Sequence, residues 1–288
     1  MTKYTKGILF MLASAFLYAL MNVVIKLGNN IPLFQRLFFT NLITFIISVI
    51  LVKKNRASIF GQKSNQKALF IRSLFGLMAM ITNFYAISKL SIADSSMLNK
   101  LSPFFVTLFA YVILKEKMNK LQIPSLIVVF IGALLVIKPK FSMTMIPAAS
   151  GFISAIVSGA AYTAISYIGD KEDSSTIVAH FSFVSMIGTG IPMLFNFVMP
   201  DFNMVMVLVG IGLCYGFAQI TMTLAYKYAP AGEVSIYNYC NIIFAATLGF
   251  IVFKEIPDLY SLIGGIIIII TAITLFAYNK RVNKTVKN

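Results

Sequence analysis

Residues 81–116 read ITNFYAISKLSIADSSMLNKLSPFFVTLFAYVILKE, and residues 220–255 read ITMTLAYKYAPAGEVSIYNYCNIIFAATLGFIVFKE. The two stretches align without a gap at a shift of 139 positions, and 8 of the 36 aligned pairs are identical. Shared apolar composition does not explain the polar identities, which include Ser96 with Ser235, Asn99 with Asn238, Lys115 with Lys254, and Glu116 with Glu255. The alignment therefore predicts an internal repeat.

The repeat extends to the first part of each half at a shift of 144 positions. The five-residue difference between the two shifts fits a deletion in the loop between the matched blocks. We therefore divide the chain into a first half, residues 1–140, and a second half, residues 141–288. The pairs at the shift of 144 are Gly7 with Gly151, Ser14 with Ser158, Tyr18 with Tyr162, Phe39 with Phe183 and Arg36 with His180.

The composition is that of a membrane protein. Of the 288 residues, 59% are hydrophobic and 11% are charged, whereas a soluble domain carries about 25% charged residues. Apolar runs of roughly 20 residues recur, and each can cross a hydrocarbon core of about 30 Å as a helix. We expect an all-α membrane protein with ten transmembrane helices. These lie near residues 7–27, 33–52, 68–88, 93–114, 122–138, 148–168, 176–197, 204–226, 233–253 and 259–278.

Five helices per half is an odd number, so the second half must enter the membrane with the opposite orientation. Inverted repeats of this kind are an architecture of secondary transporters, whose substrate site lies near the membrane midplane between the halves. The fold class predicted from the sequence is therefore two inverted five-helix repeats.

The net charge of +15 is explained by where the basic residues fall. With the N-terminus inside, 16 Lys and Arg residues lie in cytoplasmic segments and 5 in outer loops. This asymmetry predicts a multi-pass protein of the cell membrane with both termini in the cytoplasm, and it removes the reason to expect a nucleic-acid partner. Cys214 and Cys240 both fall within spans, so no disulfide framework is indicated. His180 has no second His or Cys at ligand spacing, so we expect no metal and no cofactor.

These segments resemble the drug/metabolite transporter superfamily, and within it the ten-helix EamA-type carriers. The likeness covers both halves. It is carried by GILFMLASAFLYALMNVVIK (7–26) with GFISAIVSGAAYTAISYIGD (151–170), and by LSPFFVTLFAYVILKEKMNKLQIPSLIVVFIGALLVI (101–137) with IIFAATLGFIVFKEIPDLYSLIGGIIIIITAI (242–273). The family's fourth helix ends in Leu, one residue and Glu, which Leu114–Glu116 and Phe253–Glu255 match. The resemblance implies a solute carrier or exporter and leaves its cargo open.

Two departures from the family pattern point to candidate binding residues. The family often has Trp where this chain has Tyr18 and Tyr162, and this chain contains no Trp. Lys100 stands where an uncharged residue is expected. It lies inside the apolar run 93–114, where a charged side chain costs roughly 2.5–3.5 kcal/mol on insertion scales. Asp94, six residues away, would lie on the other side of a helix.

Two explanations for Lys100 are open. Its ammonium group could bond backbone carbonyls left free because Pro103 cannot donate to the carbonyl of Asn99. Alternatively, Lys100 lies beside Asn99, faces Asn238 across the repeat interface, and pairs with a carboxylate of the substrate.

The other candidate substrate-binding residues are polar groups within or near spans. For the two Asn residues, hydrogen bonding between helices is the structural alternative. For Arg36, anchoring at the interface is as plausible as cavity lining, and His180 could be a structural hydrogen-bonded group. Arg72 is interpreted as an interfacial anchor, and Asp94 and Glu233 as helix caps rather than proton carriers. The full set of candidates is Asn99, Lys100, Asn238, Tyr237, Tyr239, Gln219, Arg36, His180, Tyr18 and Tyr162.

The sequence thus predicts a secondary transporter that moves a small polar metabolite, amino-acid-like or otherwise carboxylate-bearing, by alternating access. A membrane-embedded enzyme is the second class, and the lack of a GxSxG motif and the presence of a single His argue against it. A channel is the third. The expected partners are a small-molecule substrate and the lipid bilayer, and a homodimer is possible.

Overall fold

The computed structural model describes residues 2–27, 31–89, 98–137, 145–254 and 259–285. In these ranges the chain is helical, without strands, and its long helices are named here in chain order. They are α1 (Lys3–Leu27), α2 (Leu33–Lys54), α3 (Gln66–Lys89), α4 (Ser102–Leu114), α5 (Gln122–Ile137), α6 (Met145–Ile168), α7 (Ser174–Leu194), α8 (Phe202–Tyr228), α9 (Cys240–Phe253) and α10 (Leu259–Thr285).

Helices of the two halves pack mostly on each other. The most extensive contacts join α3 to α6, α1 to α8, α2 to α7 and α5 to α10, followed by α2 to α8, α4 to α6, α1 to α9 and α3 to α7. Exchanging α1–α5 with α6–α10 leaves the pairs α2–α7 and α5–α10 unchanged and converts each of the other six into another pair of the same set. The two halves therefore interlock and share one core, and the boundary at residues 140 and 141 stays a prediction.

Among the residues that the structure describes, seven helical segments are long and apolar enough to cross a membrane. They begin at Lys3, Leu33, Met145, Ser174, Phe202, Ala231 and Leu259, while α4 and α5 are shorter apolar helices. The protein is therefore a multi-pass membrane protein. A count of ten crossings stays a prediction.

Local sequence sets the helix ends. Asp173 precedes α7 and accepts a hydrogen bond from the Ser175 backbone N–H at 2.9 Å. Asp201 precedes α8 and accepts a hydrogen bond from the Met204 backbone N–H at 2.7 Å. Burial raises the pKa of the Asp173 carboxyl, but hydrogen bonds from Ser175 and Asn55 outweigh it and leave that pKa below its ordinary value. Carboxylates at helix starts satisfy N–H groups that lack partners within the helix.

The expected continuous fourth helix over 93–114 is wrong in its described part. The chain is helical at Leu98 and Asn99, turns at Lys100 and Leu101, and begins α4 at Ser102. Pro103 stands in the first turn of α4, where a missing N–H is tolerated, and it cannot bond to a carbonyl four residues back. Lys100 therefore lies at a break before α4 rather than two turns inside a helix.

The second half has a break at the same repeat position. Ala231–Val234 form one α-helical turn, Ser235–Tyr239 form a 3₁₀ helix, and α9 begins at Cys240. Tyr239 and Lys100 are 139 residues apart, so the two irregular segments correspond in the repeat. Discontinuous helices near the centre of a bundle expose backbone and side-chain polar groups to a binding site.

Candidate functional site

Lys100 is held by the second half of the chain. Its Nζ donates a hydrogen bond of 3.1 Å to Oδ1 of Asn241, whose own Nδ2 donates at 2.9 Å to the backbone oxygen of Ala15 on α1. The Lys100 side chain is only partly buried. Its ammonium group thus has one neutral partner, oriented by a second bond, and can still accept an anionic group.

Asn238 does not take the place expected for it. The structure pairs Lys100 with Asn241, which lies three residues further along the chain, about one helical turn on and on the same helix face. Asn238 is partly buried in the 3₁₀ segment, and Asn99 donates to Oδ1 of Asn83 at 3.3 Å. The Asn99 contact joins two segments of the first half, so hydrogen bonding between helices describes it.

The repeat-related residues Lys100 and Tyr239 touch each other. The hydroxyl of Tyr239 donates to the backbone oxygen of Lys100 at 2.6 Å, and Tyr239 is 0% exposed. Residues that correspond in a two-fold repeat meet only close to its axis, so the two irregular segments cross there. Tyr239 supports the backbone that carries Lys100. Tyr237 packs instead in an apolar cluster that includes Tyr4 near the start of α1.

The interpretation of Arg72 as an interfacial anchor is wrong. The side chain is 1% exposed, and its Nη2 donates a hydrogen bond of 3.1 Å to Oε1 of Gln219 on α8. The guanidinium carbon lies 4.2 Å from the ring centroid of Phe181, and Nε has no partner in the part of the chain that the structure describes. An anchor would reach the interface, whereas neighbouring helices cover this arginine on all sides.

Four tyrosines lie beside Arg72 or on one another, and we call them the tyrosine cluster: Tyr18, Tyr162 and Tyr215 lie next to the arginine, and Tyr226 packs on Tyr162. Their hydroxyl groups lie close enough to interact electrostatically with Arg72 or with one another. Tyr18 packs edge-on against Tyr215 with centroids 5.9 Å apart, and Tyr162 stacks on Tyr226 at 5.4 Å.

Gln219 links the tyrosine cluster to the arginine, since its Nε2 donates to the Tyr18 hydroxyl at 2.8 Å. The predicted candidates Gln219, Tyr18 and Tyr162 are thus brought together, but around Arg72.

Arg36 and His180 are not brought together. Arg36 lies at the start of α2 and donates to the backbone oxygen of Ile31 at 3.3 Å. His180 on α7 shares a 2.8 Å hydrogen bond between its Nδ1 and the hydroxyl of Ser73 on α3. Ser73 follows Arg72 directly in the chain, so this bond fixes α3 against α7 beside the buried arginine. This bond agrees with the structural alternative for His180, and a role of His180 in binding substrate stays a prediction.

The described carboxylates lie near the ends of the helices rather than beside Lys100 and Arg72.

We call the end of the bundle where α1 begins and α10 ends the terminal face. Glu116 accepts hydrogen bonds there from the backbone N–H groups of Ala231 at 2.9 Å and Gly232 at 3.1 Å, and Glu233 accepts one from Asn279 at 2.8 Å. Asp94, like Glu255, lies outside the described residues. Within the described ranges neither Lys100 nor Arg72 has a carboxylate partner, and no cluster of metal-ligating side chains occurs.

The terminal face is tied together by contacts between the halves. Thr107 on α4 donates to the backbone oxygen of Gly232 at 3.3 Å, and Asn119 donates to Oδ1 of Asn279 at 2.7 Å. On the other side of this face, Glu172 accepts from the Gln62 backbone N–H at 2.8 Å and from Asn65 at 2.7 Å. These bonds close the bundle at this end.

The site residues missed by sequence reasoning are Arg72, Ser73, Tyr215 and Tyr226. Arg72 carried a usable signal, because it is a charge within the apolar run 68–88. Its partners could not be found by spacing, because Gln219 is 147 positions away and the tyrosines come from three different helices.

A bundle of apolar helices in two interlocking, repeat-related sets, with buried cations, amides and tyrosines at its centre, defines a membrane transporter. The chain belongs to the EamA-like transporter family, whose family model matches residues 5–138 and, a second time, residues 145–277. It is a carrier of the drug/metabolite transporter superfamily and not an enzyme.

Relatives agree with this membership. The chain is 29% identical over 273 residues to the pseudopaline exporter CntI of Pseudomonas aeruginosa, a match that covers 93% of this chain and 95% of that protein. It is 23% identical over 281 residues to solute carrier family 35 member G1 of Mus musculus, covering 92% and 76%. A solved crystal structure superposes with a TM-score of 0.86 over 96% of this chain and 99% of that chain at 15% identity, which is a likeness of fold.

Proposed function

We propose that the protein is a secondary transporter that moves a small polar metabolite bearing a carboxylate across the cytoplasmic membrane by alternating access. Lys100 carries the proposal. Its ammonium group lies at a helix break near the repeat axis, is oriented by Asn241, and has no carboxylate partner among the described residues. A charge at membrane depth marks a substrate or ion pathway, because its cost must be offset by a partner.

A substrate carboxylate supplies that partner. It would take the place next to the ammonium that Asn241 leaves open, and the partial exposure of Lys100 leaves room for it. Asn241 would keep the ammonium oriented when the site is empty, since its own amide is fixed to α1 through Ala15. The pairing adds a bond between two opposite charges to the bond that the ammonium already makes with the neutral Asn241 amide.

The interlocked halves support transport by alternating access. The site lies between them, and the terminal face is closed by bonds from Glu116 and Glu172. Release on that side requires these bonds to break while helices of one half move against those of the other. The basic-residue asymmetry places the terminal face in the cytoplasm. A relative named as an exporter favours export as the direction.

The test replaces Lys100 with Met in protein reconstituted in liposomes. Vesicles are incubated with a metabolite extract, and the compounds that accumulate are identified by mass spectrometry. Wild type should accumulate carboxylic acids, and Lys100→Met should lose at least roughly nine-tenths of that accumulation, as expected when one partner of a buried charge pair is removed. Lys100→Arg should restore part of it, because the guanidinium is a wider planar donor.

Lys89→Met is the matched control, because Lys89 is an exposed cation at the end of α3. It should transport like wild type. Unchanged accumulation by a folded Lys100→Met protein would overturn the role of Lys100, and accumulation of only neutral or cationic compounds by wild type would overturn the substrate class.

A further inference from the structure

We propose that Arg72 and the tyrosine cluster form a second anion-binding subsite, so that the transported compound carries two anionic groups, one bound at Lys100 and one at Arg72. This inference rests on the proposed function and extends it. It is carried by the second buried cation, which the family match and the relatives do not assign to any role.

The first observation is the unmatched charge of Arg72. The guanidinium is covered by protein, yet its described partners are the neutral Gln219 amide and the Phe181 ring, and its Nε has none. A buried charge without a counter-ion is strongly unfavourable, and removing its cost requires an opposite charge with good geometry. A guanidinium presents donors in a fixed fork that fits a carboxylate or phosphate with two parallel bonds.

The second observation is that the surroundings position the guanidinium. Gly76 lies one helical turn after Arg72 on α3, and a Cβ there would overlap Nη1 of Arg72 and lie 2.7 Å from Phe181. The glycine therefore makes the space in which the guanidinium lies over the aromatic ring. Tyr18, Tyr162 and Tyr215 are only partly buried, whereas Arg72 is covered, so a ligand would reach the guanidinium from the side of these tyrosines. Their hydroxyls are donors that can complete an anion site.

The third observation is the proximity of the two cations. Lys100 is connected through Asn241 to Ala15, and Arg72 is connected through Gln219 to Tyr18. Ala15 and Tyr18 are three residues apart on α1, about 4.5 Å along the helix axis. The two hydrogen-bonded chains thus end on adjacent turns of one helix. A single small molecule with an anionic group at each end can span the two subsites.

The experiment measures binding of two-ended probes to purified protein in nanodiscs. The probes are the straight-chain dicarboxylates from succinate to suberate and the half-amide of each, in which one carboxylate is replaced by a neutral amide of nearly the same shape. Wild type should bind one or two dicarboxylate lengths best, and the matching half-amide at least roughly tenfold more weakly, because the half-amide loses one of two buried charge pairs.

Arg72→Gln is the decisive variant, because Gln keeps a hydrogen bond to Gln219 within reach and removes the charge. It should raise the Kd of the dicarboxylate at least roughly tenfold and leave the half-amide within about twofold, so that the two probes bind alike. Gly76→Ala keeps the charge but displaces the guanidinium, and it should change the Kd values in the same sense by a smaller factor. Lys89→Met, with its exposed cation removed, should bind as wild type does.

The outcomes separate this inference from the proposed function. If wild type binds dicarboxylate and half-amide equally and Lys100→Met weakens both, Lys100 binds a carboxylate and Arg72 does not. If wild type binds neither probe, and Lys100→Met transports as wild type does, both proposals fail. If Arg72→Gln and Gly76→Ala both melt at lower temperature while the ratio of the two Kd values stays that of wild type, Arg72 is structural. The last outcome concerns the double variant Arg72→Gln with Asp94→Asn. If this variant binds the dicarboxylate as wild type does, the Asp94 carboxylate, rather than an anionic group of the substrate, balances the charge of Arg72. The inference then fails.

Discussion

The two halves of the molecule place their helices alike but carry different charges. Every extensive helix contact has a counterpart when the halves are exchanged. The buried Arg72 and the partly buried Lys100 nevertheless both belong to the first half, and the repeat positions that correspond to them hold Ile211 and Tyr239. The second half contributes the neutral amides that accept bonds from the two cations. Duplication therefore explains the scaffold, and divergence between the copies explains the site.

Contact at the repeat axis gives a physical reason for this asymmetry. The Tyr239 hydroxyl bonds the backbone of Lys100, so side chains at these two positions lie side by side. Two lysines there would place two ammonium groups together away from bulk water, where like charges repel strongly. A neutral residue in one copy removes that repulsion, and tyrosine also supplies a donor for the irregular backbone.

The largest change in stability is expected at the close crossing of α10 with α5. Gly264 on α10 faces α5, and a Cβ there would overlap the backbone oxygen of Gly132 and lie 2.8 Å from Val136. Backbone cannot move aside cheaply, so Gly264→Ala should destabilise the protein by about 1–3 kcal/mol. Its melting temperature in detergent should fall clearly.

The neighbouring Gly265 is the matched control for that substitution. An added Cβ at Gly265 meets nothing within 4 Å. Gly265→Ala should leave stability unchanged or raise it by up to about 1 kcal/mol, because alanine favours a helix. Equal melting temperatures for the two variants would show that the close crossing of α5 and α10 does not hold the halves together.

An effect of similar size, but on local opening rather than on unfolding, is expected at the terminal face, where Glu116 of the first half binds the backbone of the second. Gln offers one acceptor oxygen in place of two, so Glu116→Gln should lose one of the bonds to Ala231 and Gly232. A hydrogen bond to a charged group is worth about 1.5–3 kcal/mol, and such a loss raises the open fraction of this face roughly tenfold or more.

Maleimide labelling of Ser235→Cys measures that opening, because Ser235 is 0% exposed at the terminal face. The native Cys214 and Cys240 are first replaced by Ala. Labelling should accelerate in Glu116→Gln and stay slow in Asp201→Asn, where the changed carboxylate caps α8 at the other end of the bundle. An unchanged labelling rate in Glu116→Gln would mean that this carboxylate does not hold the face closed.

Much of the scaffold could be predicted from the sequence because apolar runs and repeat identities are local signals. The helices α1, α2 and α6–α8 lie close to the predicted spans. The break before α4 was missed because residues 98–101 lie inside the apolar run 93–114, and mean hydropathy does not distinguish a turn from a helix. Pro103 was the available signal, since proline is frequent in the first turn of a helix.

The site was only partly predictable because its contacts are long-range. Lys100 was singled out as a charge within an apolar run, and its role in binding stays a prediction; its bond to Asn241 joins residues 141 positions apart. Arg72 was misplaced because it lies only about one turn from the start of its predicted span, a position that suggested the membrane interface. In the structure, α7 and α8 cover it through Phe181 and Gln219. Which helices cover a charge depends on how the two halves interlock, and no spacing within one helix shows that.

The smallest change in stability is expected at the ends of α4 and α9, and it should be the same in both halves. Lys115 ends α4 with a φ of 54°, and Lys254 ends α9 with a φ of 58°; both are exposed and adopt the left-handed conformation. That conformation costs a non-glycine residue roughly 1–2 kcal/mol, while glycine gives back about 0.4–1 kcal/mol through a more flexible unfolded chain. Lys115→Gly and Lys254→Gly should each stabilise the protein by roughly 0.5–1 kcal/mol, the difference between these two terms.

Lys117→Gly is the control for these two variants, because Lys117 is exposed in the same turn and does not have a positive φ. It should lower stability slightly, since only the unfolded chain gains freedom. The melting temperatures of the three variants test whether the two positive-φ lysines respond alike. Gains at Lys115 and Lys254 that agree within about 0.5 kcal/mol would mean that the backbone of the two copies is equivalent even where their charges differ. A gain at one position and a loss at the other would show that the asymmetry extends to the scaffold itself.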